Sequence, residues 1–263
     1  MSVTDVLARL NQLPLWKRQV NLWGFRMQAT TLDRLVYLYL NRAGYLGGEL
    51  RALFEDRIKP GMRVLDIGAN SGLFAILFSR LVGDSGEVLA FEPDPELYAA
   101  LEANCRLNSA SNVRCYNLAA GSRAGEMVLS RSLLNAGDNR LSSERRREPT
   151  RPVVVKVARI DEIAHSGAVD FVKIDVQGWE AEVLDGMNRL LSQNARLQIC
   201  LEYWPRGLRN AGADPAKLLA TLTERGFELF GVSRAGCKPL AEIADWPRQD
   251  SRWYTNVYAV ARS

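Results

Sequence analysis

The stretch Val64-Leu65-Asp66-Ile67-Gly68-Ala69-Asn70-Ser71-Gly72 decides the fold, because an apolar run leads directly into a turn of small residues. A second apolar run, Val88-Leu89-Ala90-Phe91, ends in Glu92. A strand, a small-residue turn, a helix and a second strand that ends in a carboxylate are the layout of a nucleoside-cofactor site in a doubly wound α/β fold. The small residues let the backbone approach the ligand, and Glu92 can accept hydrogen bonds from both ribose hydroxyls.

The turn itself favours one kind of nucleoside over another. A dinucleotide is typically held by G-x-G-x-x-G at a helix N-terminus, and the middle glycine of that fingerprint is missing between Gly68 and Gly72. The carboxylate of Asp66 would also repel a phosphate, whereas it suits an ammonium group. These charges predict S-adenosylmethionine, which carries an amine, a sulfonium and an adenosine, rather than NAD.

Composition places the chain among ordinary globular proteins. It has 263 residues, of which 47% are hydrophobic and 24% charged, and these values are typical of one large folded domain. No apolar run reaches the ~20 residues that span a bilayer, and Met1–Trp16 lacks the pattern of a signal peptide. The four cysteines form no C-x-x-C pair, which indicates neither zinc nor disulfides. We therefore expect a cytoplasmic protein.

Positive charge is concentrated in one segment. The net charge of +4 is too small to indicate nucleic acid by itself, but Arg140, Arg145-Arg146-Arg147 and Arg151 form a local cluster. A cluster of this kind is a solvated loop or, alternatively, a contact for an anionic substrate, lipid or partner. Because it has no interleaved aromatic residues for base stacking, we expect no nucleic-acid partner.

The chain divides into an N-terminal cap and a core within one domain. Helical spacing in Val3–Leu10 and a capping-like start at Thr30 predict a helical cap over residues 1–60. Its aromatic residues are expected to pack on the core. A homodimer contact through these helices, or a hydrophobic wall of a substrate pocket, is the alternative.

Residues 61–263 alternate between strand and helix patterns. This rhythm predicts a Rossmann-like α/β core with a mostly parallel seven-stranded sheet and helices on both faces. The predicted strands are Arg63–Ile67, Glu87–Phe91, Val113–Leu118, Val169–Val176, Leu197–Leu201, Phe227–Val232 and Trp253–Val260. The last is expected at an antiparallel edge. An inserted hairpin is predicted from Glu126–Ser130 and Val153–Val157, and one helix is predicted over Gly178–Leu191.

With its motifs in this order, the sequence resembles the FkbM-type family of S-adenosylmethionine-dependent methyltransferases over roughly residues 45–261. The resemblance rests on Asp66-Ile67-Gly68-Ala69-Asn70-Ser71-Gly72, Phe91-Glu92-Pro93-Asp94-Pro95, Asn117-Leu118-Ala119-Ala120-Gly121, Arg159-Ile160-Asp161 and Phe171-Val172-Lys173-Ile174-Asp175-Val176-Gln177-Gly178-Trp179-Glu180. The K-I-D-V-x-G-x-E element is far more specific than a glycine turn. The resemblance implies a class I methyltransferase fold and O-methylation of a hydroxyl on a sugar, glycolipid or secondary metabolite.

Two residues depart from the family pattern. The family usually has Glu where this chain has Gln177, and a small residue where it has Trp179. If that Glu were a base or a metal ligand, the chemistry of this chain would be impaired or altered; otherwise the pocket is retuned. These departures leave open a non-catalytic or altered-activity protein that retains the cofactor fold. An NAD-dependent oxidoreductase is a second alternative, against which Asp66 and the missing middle glycine count.

Ligands of such folds lie beyond the carboxyl ends of the parallel strands. The predicted cofactor-binding residues are Asp66, Gly68, Ala69, Asn70, Gly72, Glu92, Ala119, Ala120, Tyr45 and Glu49. The turn is expected around the methionine part of the cofactor and Glu92 at the ribose, while the paired alanines line the adenine. The final two match a Tyr/Glu pair of the family, and the resemblance implies that they close the pocket.

Two carboxylates are the predicted catalytic residues. Asp175 lies at the carboxyl end of the fourth strand and Glu202 follows the fifth, so both are expected at the carboxyl edge, where a base can accept the proton of an alcohol. Lys173 shares a strand face with Asp175 and is expected either to pair with a carboxylate or to act in the site. His165 precedes the fourth strand at its amino end, away from the expected site, and is not assigned a role. No metal is predicted, although Mg²⁺ between the two carboxylates is left open.

Overall fold

The computed structural model describes residues 18–29, 48–132, 139–141, 150–165, 167–194, 196–243 and 254–262. The strands are β1 (Arg18–Leu22), β2 (Phe25–Ala29), β3 (Arg63–Ile67), β4 (Glu87–Phe91), β5 (Val113–Tyr116), β6 (Ala119–Ala120), β7 (Gly125–Ser132), β8 (Arg140–Leu141), β9 (Thr150–Ala158), β10 (Phe171–Ile174), β11 (Gln198–Tyr203), β12 (Phe227–Ser233), β13 (Gly236–Pro239) and β14 (Thr255–Ala261). The α-helices are α1 (Gly48–Arg57), α2 (Leu73–Val82), α3 (Pro95–Leu107), α4 (Ile160–Ile163), α5 (Glu180–Asp185), α6 (Asn188–Gln193), α7 (Pro205–Asn210) and α8 (Pro215–Glu224). None of these described helices has the length and apolar character needed to cross a membrane.

Within the described ranges, a central sheet of eight strands has the order β13-β12-β14-β11-β10-β3-β4-β5. The pairs from β11 to β5 are parallel, and the pairs that involve β12, β13 or β14 are antiparallel. The seven predicted strands all occur in this sheet, and β13 is an additional edge strand. The antiparallel direction of β14 is confirmed, but its predicted edge position is wrong. Val257, Tyr258 and Ala259 are all buried, because β14 lies between β11 and β12.

The central strand β10 shows how the sheet divides the core. Phe171 packs on one face against Phe54 of α1, with ring centroids 5.6 Å apart. Val172 belongs to the second core on the opposite face, together with Leu184 of α5 and Leu222 of α8. Successive side chains of a strand point to opposite faces, so apolar residues fill both cores and polar side chains follow at the carboxyl end.

The predicted helical cap is wrong for residues 18–29, which form the antiparallel hairpin β1–β2. Buried apolar residues alternate there with exposed polar ones, and the buried set is Val20, Leu22, Phe25 and Met27. Period-2 alternation on both sides of the two-residue turn Trp23-Gly24 is a hairpin pattern. Residues 48–57 are helical as expected, and the rest of the predicted cap, residues 1–17 and 30–47, lies outside the described residues.

The inserted hairpin is confirmed and is longer than predicted. β7 and β9 pair antiparallel over their whole length, and β6 and β8 complete a second sheet of order β6-β9-β7-β8 in the described chain. The predicted helix Gly178–Leu191 is instead divided into α5 and α6. The break has a tertiary cause: the carboxylate of Asp161, 28 residues before Arg189, accepts bonds from the backbone nitrogens of Arg189 (2.9 Å) and Leu190 (3.0 Å), and so caps a new helix start.

Two asparagines one turn apart, Asn104 on α3 and Asn108 at its C-cap, fasten the hairpin β1–β2 to the core. Asn104 accepts a bond from the Gln28 nitrogen (2.7 Å) and donates to the Gln28 oxygen (3.2 Å) and the Ser71 oxygen (2.8 Å). Asn108 makes the same pair of bonds to the nitrogen (3.0 Å) and oxygen (2.7 Å) of Arg26. Asn104 is fully buried, whereas the bonds of Asn108 are exposed to water.

Replacing Asn104 by Leu is expected to lower the free energy of unfolding by about 2–4 kcal/mol, because buried backbone groups lose their partners. Asn108→Leu is the matched control, since water replaces its bonds, and it should cost about 1 kcal/mol or less. Urea unfolding of both variants measures the difference. Equal losses would show that burial of the Asn104 bonds does not contribute.

Candidate cofactor and catalytic site

The turn after β3 is held tightly against two neighbouring strands. The backbone nitrogens of Gly68 and Ala69 both donate to the Phe91 oxygen, at 3.0 and 2.9 Å. Gly68 has φ 81°, and a Cβ at this position would lie 1.9 Å from the Asp175 oxygen. Only glycine combines this left-handed backbone with so close a contact. The sequence therefore keeps the floor of the site free of side chains.

Glu92 presents a fixed carboxylate at the end of β4. It is 5% exposed, and its two oxygens accept bonds from the backbone nitrogens of Asn70 (2.8 Å) and Asp94 (2.9 Å). Burial raises the pKa of Glu92 to about 8, although these two bonds favour the charged form. Each carboxylate oxygen can accept more than one hydrogen bond, so the group remains available to a ribose.

A cavity beside Glu92 has both polar and apolar walls. Its polar lining includes Asn70, Glu92, Asn139, Asp175 and Gln177, and its apolar lining includes Leu118, Ala119, Ala120, Leu129, Leu141 and Trp179. The indole N–H of Trp179 is buried and has no hydrogen-bond partner among the described residues. A flat purine fits the apolar wall, and a ribose and an amino acid fit the polar wall. These residues therefore suit S-adenosylmethionine.

The structure gives Asp66 a partner inside the protein. Asp66 is 0% exposed, and its Oδ1 lies 3.2 Å from Nζ of Lys173. The same Nζ donates to the Gly68 oxygen (3.4 Å) and lies 3.7 Å from Oδ2 of Asp175. Burial opposes the charged form of Lys173, but the Asp66 and Asp175 carboxylates outweigh it and raise its pKa. Asp66 is not among the residues that line the cavity, so its predicted contact with the cofactor stays a prediction.

The structure brings together the two predicted catalytic carboxylates through a third residue. Nε2 of Gln177 donates to Oδ1 of Asp175 (3.0 Å) and to Oε2 of Glu202 (2.9 Å). Asp175 lines the cavity, whereas Glu202 is 8% exposed. Burial and the nearby charge of Asp175 raise the pKa of Glu202 well above its usual range.

Glu180 is a buried carboxylate to which the sequence motif assigned no role. Its Oε1 accepts bonds from the backbone nitrogens of Val176 (3.3 Å) and Gly178 (3.1 Å). Burial raises the pKa of Glu180 to about 7. Its position two residues after the glycine is the signal that could have identified it, because a carboxylate there can reach back to the nitrogens of a tight turn. Glu180 therefore shapes the turn that carries Gln177.

The remaining predicted residues lie in several places. Ala69 is buried and Gly72 precedes the first residue of α2, and neither is among the cavity-lining residues. Glu49 lines a different cavity, between α1 and the β12–β13 hairpin, and Tyr45 lies outside the described residues. His165 is exposed and bonds to the backbone of Glu162.

The arginine-rich segment is described only in part. The guanidinium of Arg140, on β8, lies 4.2 Å from the ring centroid of Trp204 and, as a positive charge, favours the ionised form of Glu202. Arg151 is exposed on β9. Arg145-Arg146-Arg147 lies outside the described residues, so a role of the loop in substrate contact stays a prediction.

Comparison with known proteins assigns the chain to a family. The family model of the methyltransferase FkbM domain matches residues 66–229. The chain belongs to the FkbM family of methyltransferases. S-adenosylmethionine is accordingly its cofactor, and the family assignment rules out the NAD-dependent oxidoreductase.

Individual relatives agree with the FkbM assignment. The chain is 27% identical to the methyltransferase sdnD of Sordaria araneosa, over 63% of this chain and 73% of the relative. It is 30% identical to the hexuronic acid methyltransferase AglP of Haloferax volcanii, over 66% of each chain. A crystal structure of a methylase from Clostridium thermocellum, assigned provisionally to rRNA, shares the fold with TM-score 0.51 and 11% identity, over 82% of this chain and 95% of that one.

At pH ~9, above the raised pKa of Glu92, Glu92→Gln is expected to weaken S-adenosylhomocysteine binding by about tenfold or more, because an ionised acceptor is lost. The pKa of Glu92 is raised to about 8, so the carboxylate that we predict to accept the ribose hydroxyls forms as pH rises through that value. Wild-type affinity should therefore increase from pH ~6.5 to ~9, and the Gln variant should lack this contribution. Calorimetric titration at several pH values measures the affinity of the wild type and of the variant. The variant also shows any pH dependence that comes from protonation of the ligand itself. Parallel pH curves for the two proteins would contradict the assignment of Glu92.

Proposed function

We propose that the protein is an O-methyltransferase that acts on a hydroxyl of a sugar, glycolipid or secondary metabolite. The observation that carries this proposal is the carboxylate pair Asp175 and Glu202, joined through Gln177, next to the cofactor cavity. A hydroxyl must lose its proton on methylation, and a carboxylate within hydrogen-bond reach can accept it.

The chain contributes binding, orientation and a proton acceptor. S-adenosylmethionine supplies an electrophilic methyl group when bound. The turn at Gly68 and the Glu92 carboxylate hold the cofactor, and this positioning supplies a large part of the acceleration in a displacement reaction. Asp175 lines the cavity, so we assign the contact with the acceptor hydroxyl to one of its carboxylate oxygens. Glu202, on the far side of the Gln177 amide, is the second candidate base.

The relatives support an oxygen acceptor. AglP is named for a hexuronic acid, and a hexuronic acid offers only oxygen atoms, hydroxyl or carboxylate, for methylation. The polar wall of the cavity and the exposed part of the Asp175 side chain are compatible with such a ligand. The alternative of a non-catalytic or altered-activity protein depends on Gln177 and Trp179, and a broad acceptor panel tests it.

Other expectations remain proposals of the same kind. They are the division into a cap over residues 1–60 and a core over 61–263, a cytoplasmic location, no nucleic-acid partner and a homodimer through the N-terminal helices. The hairpin at residues 18–29 is already an exception to the helical cap. Light scattering of the purified protein measures the oligomeric state directly.

Asp175→Asn and Glu202→Gln are the test of the carboxylate base. Methyl transfer from labelled S-adenosylmethionine to a panel of uronic acids, glycosides and hydroxylated metabolites first identifies the acceptor. The variant that lacks the base should then lose about 10²–10⁴ in kcat, while its affinity for S-adenosylhomocysteine changes by no more than about threefold. If both variants keep near-wild-type kcat, neither carboxylate is the base.

A further inference from the structure

The Gln177 amide lies between two acidic side chains that come from different strands. An amide nitrogen carries two hydrogens, and in Gln177 each points to a different carboxylate, Asp175 at 3.0 Å and Glu202 at 2.9 Å. An amide nitrogen only donates, and an ionised carboxylate only accepts. Glutamine can therefore donate a hydrogen bond to each carboxylate, whereas an ionised glutamate in its place could donate to neither.

We propose that Gln177 is the positioning residue of the carboxylate pair, and that its amide takes the place that a divalent cation would fill if position 177 were acidic. This inference rests on the proposed function, because it explains how the two candidate bases are held together. It assigns to Gln177 a role through Asp175 and Glu202 and not a direct part in proton transfer.

The electrostatics of the pair require such a group. Two carboxylates that share one nitrogen within 3.0 Å lie close enough to repel each other when both are ionised. Lys173 compensates Asp175, at 3.7 Å from its Oδ2, and the positive charge of Arg140 favours the ionised form of Glu202, but neither cation lies between the two carboxylates as the amide does. The amide donates to the oxygens that face each other, Oδ1 of Asp175 and Oε2 of Glu202, so it lowers the cost of keeping them together.

The backbone holds the Gln177 side chain in this position. Gln177 has φ 55°, in the left-handed region that non-glycine residues rarely adopt. The next residue, Gly178, has φ 103°, and a Cβ there would lie 2.6 Å from the backbone of Gly207. Glu180 accepts bonds from the nitrogens on both sides of Gln177. A strained residue that the surrounding turn fixes so closely indicates a functional constraint.

A glutamate at position 177 would replace the amide donor with a second acceptor oxygen and keep the shape of the side chain. Its two oxygens would meet the oxygens of Asp175 and Glu202, and three carboxylates at one point are typical ligands of Mg²⁺ or Mn²⁺. A leucine of similar size would remove the donor and add no charge. The pair Q177E and Q177L therefore separates loss of the amide from gain of a cation site.

Manganese titration of the S-adenosylhomocysteine complex tests the proposal without turnover. We expect Q177E to bind Mn²⁺ at least about tenfold more tightly than wild type, and Q177L to bind no more tightly than wild type. Adding Asp175→Asn to Q177E should abolish this gain in Mn²⁺ affinity. A merely structural role of Gln177 would not produce such a gain. Wild-type binding as tight as that of Q177E, or no gain in Q177E, would overturn the proposal.

The crystal structure of Q177L keeps the proposal testable if Q177E does not fold. Without the amide, the carboxylates of Asp175 and Glu202 should move apart or take up a new bridging group. Unchanged positions of the two carboxylates in Q177L, with no new group bridging them, would contradict the positioning role. Because neither experiment measures methyl transfer, failure here is distinguishable from failure of the base assignment, which the kcat values of D175N and E202Q test.

Discussion

The buried ammonium of Lys173 is the interaction on which the site depends. A buried charge is costly unless it is paired and hydrogen-bonded, and Lys173 meets this requirement with Asp66, the Gly68 oxygen and Asp175. Lys173 and Asp66 are register partners on the adjacent parallel strands β10 and β3. The ion pair therefore ties β3, which leads into the turn at Gly68, to β10, which leads to Asp175, the proposed base.

Close backbone contacts also hold the carboxyl ends of these strands together. The turn at Gly68 approaches the Asp175 oxygen so closely that a side chain is excluded, and Gly178 meets Gly207 in the same way. These contacts bring the ends of β3, β10 and β11 to one place. Glu92 and Asp175 line one cavity there, and Gln177 connects Asp175 to Glu202 beside it.

Much of the fold follows from local patterns. Arg63–Ile67 and Glu87–Phe91 have the predicted boundaries, because apolar runs and small-residue turns act over a few residues. The hairpin at residues 18–29 was missed because helical spacing nearby outweighed its period-2 alternation. The interior place of β14 depends on pairing with β11 and β12, which no local pattern reports.

The sequence by itself determined the family, the cofactor and the carboxylate at the end of β4, because these depend on residue types at short, fixed spacings. Only the tertiary structure decided that Asp66 pairs with Lys173 and that Gln177 bridges Asp175 and Glu202. Asp66 and Lys173 are 107 residues apart in the chain. Such partners meet only when β3, β10 and β11 align in the sheet. Their pairing therefore depends on the register between strands and not on any local pattern.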